Sequence, residues 1–462
     1  MLVDRRLRNA APLTLAALAV AAMRWLARAR VADDYDSIGF VRGIERYDLA
    51  ALRPHFPGYP VYVALAKLGA AAGLAPLTAA TLVSALAAGA AAVAVWRLGY
   101  SAAGGERAER AGWMALAMYA AAWLPWQLGG AALSDMTATA LVALAFAALT
   151  VERRAFAALA GVALALALGT RASYWPLAAS FAVVAARRPH RRAAAAGALA
   201  GLVAWIVPFV AVVHPAALVA LARTHLTGHF TTWGGTIATE PRFGLRLFAF
   251  ARGLVYDGLV ANRWLLLAAA PLVLVCARAL PRSRTAWLVV AAPYALWVLF
   301  AQNVVEQPRH LLPLVVFACV MLGVALARRP PVAVAVVALA LAASVPLAWM
   351  RAHTPPAAAQ AAAWIKATYP QKNSVAVFGG KSIRFFEELA PDIQTRTRTW
   401  ASEVDVELER LDVLPPALYI TSEVDVDARR ARRVGDGPTF CRDVRLDRAQ
   451  PCLTLRRYRL GR

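Results

Sequence analysis

"VADDYDSIGFVRGIERYDLAALRPHFPGYPVY", residues 31–62, follows an apolar run at 11–27 and leads into another at 59–74. It sets Asp33, Asp34, Asp36, Glu45, Asp48 and His55 beside the first hydrophobic segment of the chain. Lipid alone gives no reason for so many acids there, so their surroundings decide the reading. Of the 462 residues, 60% are hydrophobic and the mean hydropathy is +0.53. Apolar runs of 15 to 21 residues recur as far as Trp349, the pattern of an all-α polytopic membrane protein. The net charge of +23 sits in short basic clusters between apolar runs. That is loop charge, and nucleic acid is not an expected partner.

The basic clusters orient the chain. Arg5, Arg6 and Arg8 precede the run at 11–27, which puts the N-terminus in the cytoplasm by the positive-inside rule. The same rule assigns to that side Arg97, Arg107 and Arg110, then Arg153 and Arg154, then Arg187, Arg188, Arg191 and Arg192, then Arg278, Arg282 and Arg284, and last Arg328 and Arg329. The runs between them close as outward hairpins at 112–127 with 136–151, 155–170 with 174–186, 193–213 with 264–280, and 286–301 with 311–327. Among 11–27, 59–74 and 77–96 only two can cross. The short 59–74, behind Pro57, Gly58 and Pro60, is the one expected to be re-entrant or interfacial. About 11 transmembrane helices follow, and a final run at 331–349 leaves the C-terminus outside. Arg24, Arg28 and Arg30 break the rule; snorkelling or an anionic headgroup would account for them.

This map collects the polar residues of the membrane part, 1–350, on the outer face. There lie the loop 28–58, Asp135 in "LGGAALSDMTA", Arg171 in "GTRASYW", the long loop 214–262, and Glu306, Arg309 and His310 in "QNVVEQPRHLLP". Ionisable residues that share one side at helix mouths are functional candidates. The loop 214–262, with His225, His229 and Trp233, is too long for a hairpin connection and reads as a mobile cover over an outward cavity.

The ordered set of motifs resembles the polyprenyl-phosphate-dependent glycosyltransferases of the GT-C superfamily, in the protein O-mannosyltransferase-like branch that includes the lipid A aminoarabinose transferases. "DSIGF" is similar to that family's Asp-Glu-x-x-aromatic motif, "RPHFPGYPVY" to its His-Pro-Pro-Gly-Tyr-Pro, and "PRHLLPL" to its Pro-Arg-Tyr-Leu-Leu-Pro. The resemblance places the catalytic aspartate on Asp36. Ser37 stands where the second acid would be and Asp33 and Asp34 precede it, so the base remains open among the three, with Asp34 second. It also implies a GT-C-like fold, and an inverting hexosyl- or pentosyltransferase acting in the plasma membrane. The donor would be a polyprenyl-phosphate-linked sugar and the acceptor a hydroxyl of a glycan, lipid or protein.

Such a transfer needs a carboxylate to take the acceptor proton and cations to meet the leaving phosphate. Asp36 suits the first role; Arg309, His310 and Arg171 suit the second. His55 and Asp135 are expected to bind substrate, and Asp36 with Asp135 could hold a divalent cation, Mg or Mn. A secondary transporter would instead carry mid-span charge and repeats, and a membrane scaffold would show no convergence of polar loops.

The tail, 351–462, reads as a small extracytoplasmic α/β domain. "SVAVFGG", "DIQTRTRTW" and "PPALYITSEV" alternate as strands with the helical "AAAQAAAWIKATY". "FGGKS" is not a phosphate loop, because Val375 occupies the first glycine position. Cys441 and Cys452 are compatible with a disulfide in an oxidising compartment.

Overall fold

The structure is a computed structural model that describes residues 2–268, 284–397, 415–424 and 431–460. It divides into two compact units, one of residues 1–29 and 40–349, the other of residues 30–39 and 350–462.

In the first unit the apolar runs are helices. They are α1 (Leu2–Leu26), α3 (Pro60–Ala71), α4 (Pro76–Ala103), α5 (Ala108–Ala121), α6 (Trp123–Gly129), α7 (Asp135–Leu149), α8 (Arg154–Thr170), α9 (Trp175–Ala186), α10 (Arg191–Val212), α11 (Pro215–Gly228) and α12 (Phe243–Val255). Then come α13 (Arg284–Ala301), α14 (Leu312–Leu326) and α15 (Pro330–His353). The short α2 (Tyr35–Glu45) carries the acidic motif. Among the described residues four helical stretches are long and apolar enough to cross a membrane: 76–103, 191–212, 308–326 and 330–368. The α3 helix has 12 residues, about 18 Å at ~1.5 Å per residue, against a hydrocarbon core of about 30 Å. Most of the run expected at 264–280, with Arg278, Arg282 and Cys276, lies outside the described residues.

Alanine and glycine set the packing. Between helices in lipid there is no hydrophobic gain, so contact comes from small residues that let backbones approach. A Cβ on Gly161 of α8 would strike the Ala194 carbonyl of α10, and one on Gly197 the Ala158 carbonyl. Gly323 of α14 lies as tightly on Ala115 of α5. The core that results is apolar, with Tyr62, Tyr119, Trp123 and Leu124 almost wholly enclosed.

Arg24 corrects an expectation. It neither snorkels nor faces headgroups: it is 0% exposed, donates to the Ala120 carbonyl at 2.8 Å and stacks on Trp126 at 3.7 Å. A guanidinium can do this inside protein because its planar face accepts an aromatic ring. The 214–262 stretch is mostly helical and tied down. Arg246 of α12, fully buried, donates to the carbonyls of Leu299 at 2.7 Å and Gln302 at 2.8 Å.

In the second unit α16 (Ala357–Thr368), β1 (Val375–Gly379), α17 (Ile383–Leu389), β2 (Gln394–Thr397), β3 (Ala417–Thr421), β4 (Ala431–Cys441) and β5 (Cys452–Leu460) form one sheet with its helices. The strand order is β2-β1-β3-β5-β4. The β1 strand runs parallel to β2 and β3, while β5 is antiparallel to β3 and β4. The core joins Ala361 and Ile365 of α16 to Val375 and Val377 of β1 and, from the start of the chain, Ala32 and Ile38. The Cys441–Cys452 disulfide is present and closes the β4–β5 connection. At "GGKS" the donors turn inward: the Glu423 carboxylate accepts from the amides of Gly380 at 3.1 Å and Ser382 at 3.2 Å and from the Ser382 hydroxyl. The chain fills this nest itself.

Candidate active site

The residues expected to form a site fall in both units. Asp34 and Asp36 belong to the second; His55, Asp135, Arg171, Arg309 and His310 belong to the first.

In the first unit the "PHFPGYP" segment turns the chain into α3. Gly58 has φ 96° and Tyr59 φ 49°, left-handed conformations that glycine adopts freely and tyrosine only where contacts hold it. Two contacts do so. The Tyr47 hydroxyl donates to the Gly58 carbonyl at 2.8 Å, and the Tyr59 hydroxyl lies 2.6 Å from His55 Nε2. Phe40 meets Tyr59 edge-on at 4.9 Å and Tyr62 at 5.1 Å. Beyond His55 the rings continue: His225 stacks at 6.0 Å and His229 stacks on His225 at 6.2 Å. Trp233 closes edge-on against His225 at 4.9 Å. His229 is turned by its Nε2, 2.9 Å from the Ala301 carbonyl.

The second cluster is charged and buried. Asp135 opens α7, where the helix dipole favours an anion. It is 0% exposed. Arg171, at the end of α8, donates one nitrogen to Asp135 Oδ2 at 3.1 Å and to Ser134 Oγ at 3.4 Å. Its other terminal nitrogen lies 3.1 Å from His310 Nδ1. Arginine can only donate. His310 Nδ1 is therefore the acceptor, and its proton sits on Nε2. The Tyr294 hydroxyl fixes that ring's backbone by donating to the His310 carbonyl at 2.9 Å. Both Tyr59 and Arg309 lie within electrostatic reach of Arg171, so Tyr59 links the aromatic cluster to the charged one. Asp135 Oδ1 is buried with no hydrogen-bond partner among the described residues.

Beside Tyr59 opens an apolar groove of about 320 Å³, lined by Phe56, Pro57, Tyr59, Trp205, Phe209 and Leu218 among others.

In the second unit the acidic stretch separates into roles. Asp33 is paired with Arg351 and, at 3.3 Å, with Arg442. Asp34 Oδ1 accepts the Asp36 amide at 2.8 Å, an Asx turn that starts α2. Asp36 stands in the first turn of α2, half-buried.

The donors present do not suit the Mg or Mn expected with Asp36 and Asp135. Among the described residues no three His, Cys, Asp or Glu side chains gather to hold a metal. Asp135 already faces one guanidinium at 3.1 Å, so a divalent cation there would meet like charge. The roles of Tyr59, Ser134 and Tyr294 were not legible in sequence. For Tyr59 a signal existed, its position four residues after His55; Tyr294 sits in an apolar run that gives none.

No family model and no curated protein matches the chain. Solved structures do. ArnT from Cupriavidus metallidurans, in a crystal structure bound to undecaprenyl phosphate, is 13% identical with a TM-score of 0.56, over 97% of this chain and 98% of that one. Its apo crystal structure is 14% identical with a TM-score of 0.54, over 89% and 93%. Agreement of this extent at so low an identity is agreement of fold: over almost its whole length the chain has the fold of ArnT.

Proposed function

We propose that this protein is an inverting glycosyltransferase that moves a sugar from a polyprenyl-phosphate donor to a hydroxyl on the outer face of the membrane. The observation that carries the proposal is an apolar groove lined by Tyr59 and by Gly169 and Ala172, which stand either side of Arg171 in the buried cluster with His310 and Asp135. The groove suits a branched hydrocarbon chain. The guanidiniums of Arg171 and Arg309 suit its phosphate, and His310 supplies one neutral donor through Nε2.

In the reaction the acceptor oxygen attacks the anomeric carbon opposite the phosphate. The bond from that carbon to the phosphate oxygen breaks, and its electron pair leaves with the polyprenyl phosphate. The hydroxyl proton passes to a carboxylate, a role worth roughly 10² to 10⁴ in rate. Asp36 is the proposed base. It stands where the resembled motif has its aspartate; beside it Asp33 is held by two guanidiniums and Asp34 accepts a backbone amide. Eleven crossings, a cytoplasmic N-terminus and an outer tail complete the reading. Reporter fusions after Arg188 and after Trp349 test that orientation, with cytoplasmic and outer signals expected respectively.

The test of function has two stages. Purified protein in nanodiscs should bind undecaprenyl phosphate, and a panel of undecaprenyl-phosphate hexoses and pentoses should include one that it consumes. No binding and no consumption with any member would return the chain to the transporter reading.

A further inference from the structure

Asp33 gathers three distant parts of the chain in the second unit. Its Oδ2 accepts from Arg351, 318 residues away, with Nε at 2.7 Å. Its Oδ1 accepts from Arg442, 409 residues away, at 3.3 Å. Arg442 also donates to the Arg351 carbonyl at 3.2 Å, so the two arginines are tied to each other as well as to the acid. Both side chains are 2% exposed.

A buried ion pair is weak evidence of stability, since apolar residues of similar volume often serve as well. What such a pair does offer is geometry: charged partners accept one arrangement and reject others. Here that arrangement governs the acidic stretch. Ala32 and Ile38 are buried in the core of the second unit on either side of it. Asp33 is gripped between them, Asp34 caps the Asp36 amide, and Asp36 follows with little freedom left. The grip is itself constrained. Arg442 directly follows Cys441, whose disulfide to Cys452 closes the loop, and the Arg442 amide donates to the Pro451 carbonyl at 2.7 Å inside it.

We propose that Arg351 and Arg442, the latter presented by the disulfide-closed loop 441–452, are positioning residues that hold Asp33 and through it set the place of Asp36. The proposal rests on the reading of Asp36 as the base. It gives the tail a catalytic purpose: the end of the chain aims the carboxylate encoded near its beginning.

The test uses full-length protein in nanodiscs and the panel donor that wild type consumes fastest. Arg442→Met should leave KM for that donor within about twofold and lower kcat about 100-fold, the loss that a misplacement of about 1 Å can cause. Arg442→Lys, which keeps the charge, should recover part of it. Hydrogen exchange should rise at least tenfold in peptides covering residues 31–38 while β1 and β3 stay protected. Reducing the disulfide of wild-type protein should produce the same local rise without any substitution. Unchanged exchange at 31–38, exchange rising equally through β1 and β3, or unchanged kcat would each overturn the proposal. Full activity in both Asp36→Asn and Asp34→Asn would sink the base reading instead, and with it the catalytic purpose. If no panel donor is consumed the proposed function fails, and exchange alone decides whether the clamp exists.

Discussion

Asp33 and Asp135 are both enclosed carboxylates clamped by arginine, yet they are finished differently. Asp33 spends both oxygens, one on Arg351 and one on Arg442. Asp135 spends one on Arg171 and, among the described residues, leaves Oδ1 buried without a partner. A buried acceptor without a partner costs about 1–3 kcal/mol, so a site that keeps one is either awaiting a donor or storing a disadvantage. The saturated cluster holds a segment in place. The unsaturated one, beside the apolar groove, has the character of a place that something else completes.

The largest effect should come from breaking the unsaturated pair. Arg171→Met removes the guanidinium that pairs with Asp135 Oδ2 and leaves that carboxylate uncompensated inside the first unit. Breaking a buried pair on one side costs about 3–5 kcal/mol, so thermal unfolding should move down sharply, and undecaprenyl phosphate binding should be lost. The double variant Arg171→Met with Asp135→Leu should recover most of the stability and none of the binding. Recovery of both would make the cluster a structural ion pair no different in kind from that of Asp33.

The contrast also marks what the sequence could reveal. The strands β1 and β3 and the helix α16 are legible because apolar residues there fall into runs bounded by turn residues; β2, "QTRT", shows instead through its alternating threonines. The β4–β5 hairpin escapes: "ARRVGDGPTFC" is charged, carries Gly and Pro, and is bulged between Arg433 and Gly435 and again between Asp436 and Thr439, so it reads as loop. The assignment of Asp33 escapes for another reason. Its partners lie 318 and 409 residues away, and nothing local announces them. Arg24 shows the same limit inside the membrane part, since its partner ring on Trp126 is invisible to a rule based on loop charge. The candidates Asp135, Arg171 and His310 were legible one by one, as polar residues at helix ends; their meeting was not.

Next in size is the separation of the three neighbouring acids. Asp36→Asn should lower transfer by about 10² to 10⁴ with unfolding temperature unchanged. Asp33→Asn should differ in also destabilising the second unit, because two guanidiniums lose their anion, while it lowers transfer only indirectly, through the place of Asp36. Equal losses of stability in both variants would erase the distinction between a base and a tether.

A smaller effect should appear with pH. Burial pushes the Asp447 carboxyl up to about 6, reinforced by Asp34 and Asp33 and opposed by the Gln450 amide and Arg442. Burial also acts to raise Asp33, but Arg351 and Arg442 outweigh it and hold its carboxyl below the usual range. The Arg445 guanidinium does the same for Asp443. The signs differ. A raised carboxyl binds its proton more tightly when folded, so its cost is relieved as pH falls from about 6 towards 4. The lowered pair contributes stability above pH 4 that is lost below it. The second unit should therefore be most stable between about pH 4 and 5, with Asp447→Asn removing the fall in stability as pH rises towards 6, on the order of 2 kcal/mol. A flat profile in wild type across that interval would show that Asp447 is better solvated than its burial implies.

The finest probe of the unsaturated cluster is Arg309, half-buried in the short helical turn 308–311 that leads into α14 and within reach of the charge on Arg171. Like charges within reach of each other repel, and an anion coming between them would relieve that repulsion. Lysine would keep the charge but replace a planar fork by a point, which cannot make the two-point contact with phosphate oxygens. Arg309→Lys should therefore fold as wild type does and bind undecaprenyl phosphate about tenfold less tightly, close to ~1.4 kcal/mol. Addition of Arg171→Lys should cost more than the sum of the two changes if both residues grip one phosphate, because residues sharing a ligand do not add independently. Strict additivity would separate them, leaving Arg171 to Asp135 and His310 and assigning the phosphate to Arg309 alone.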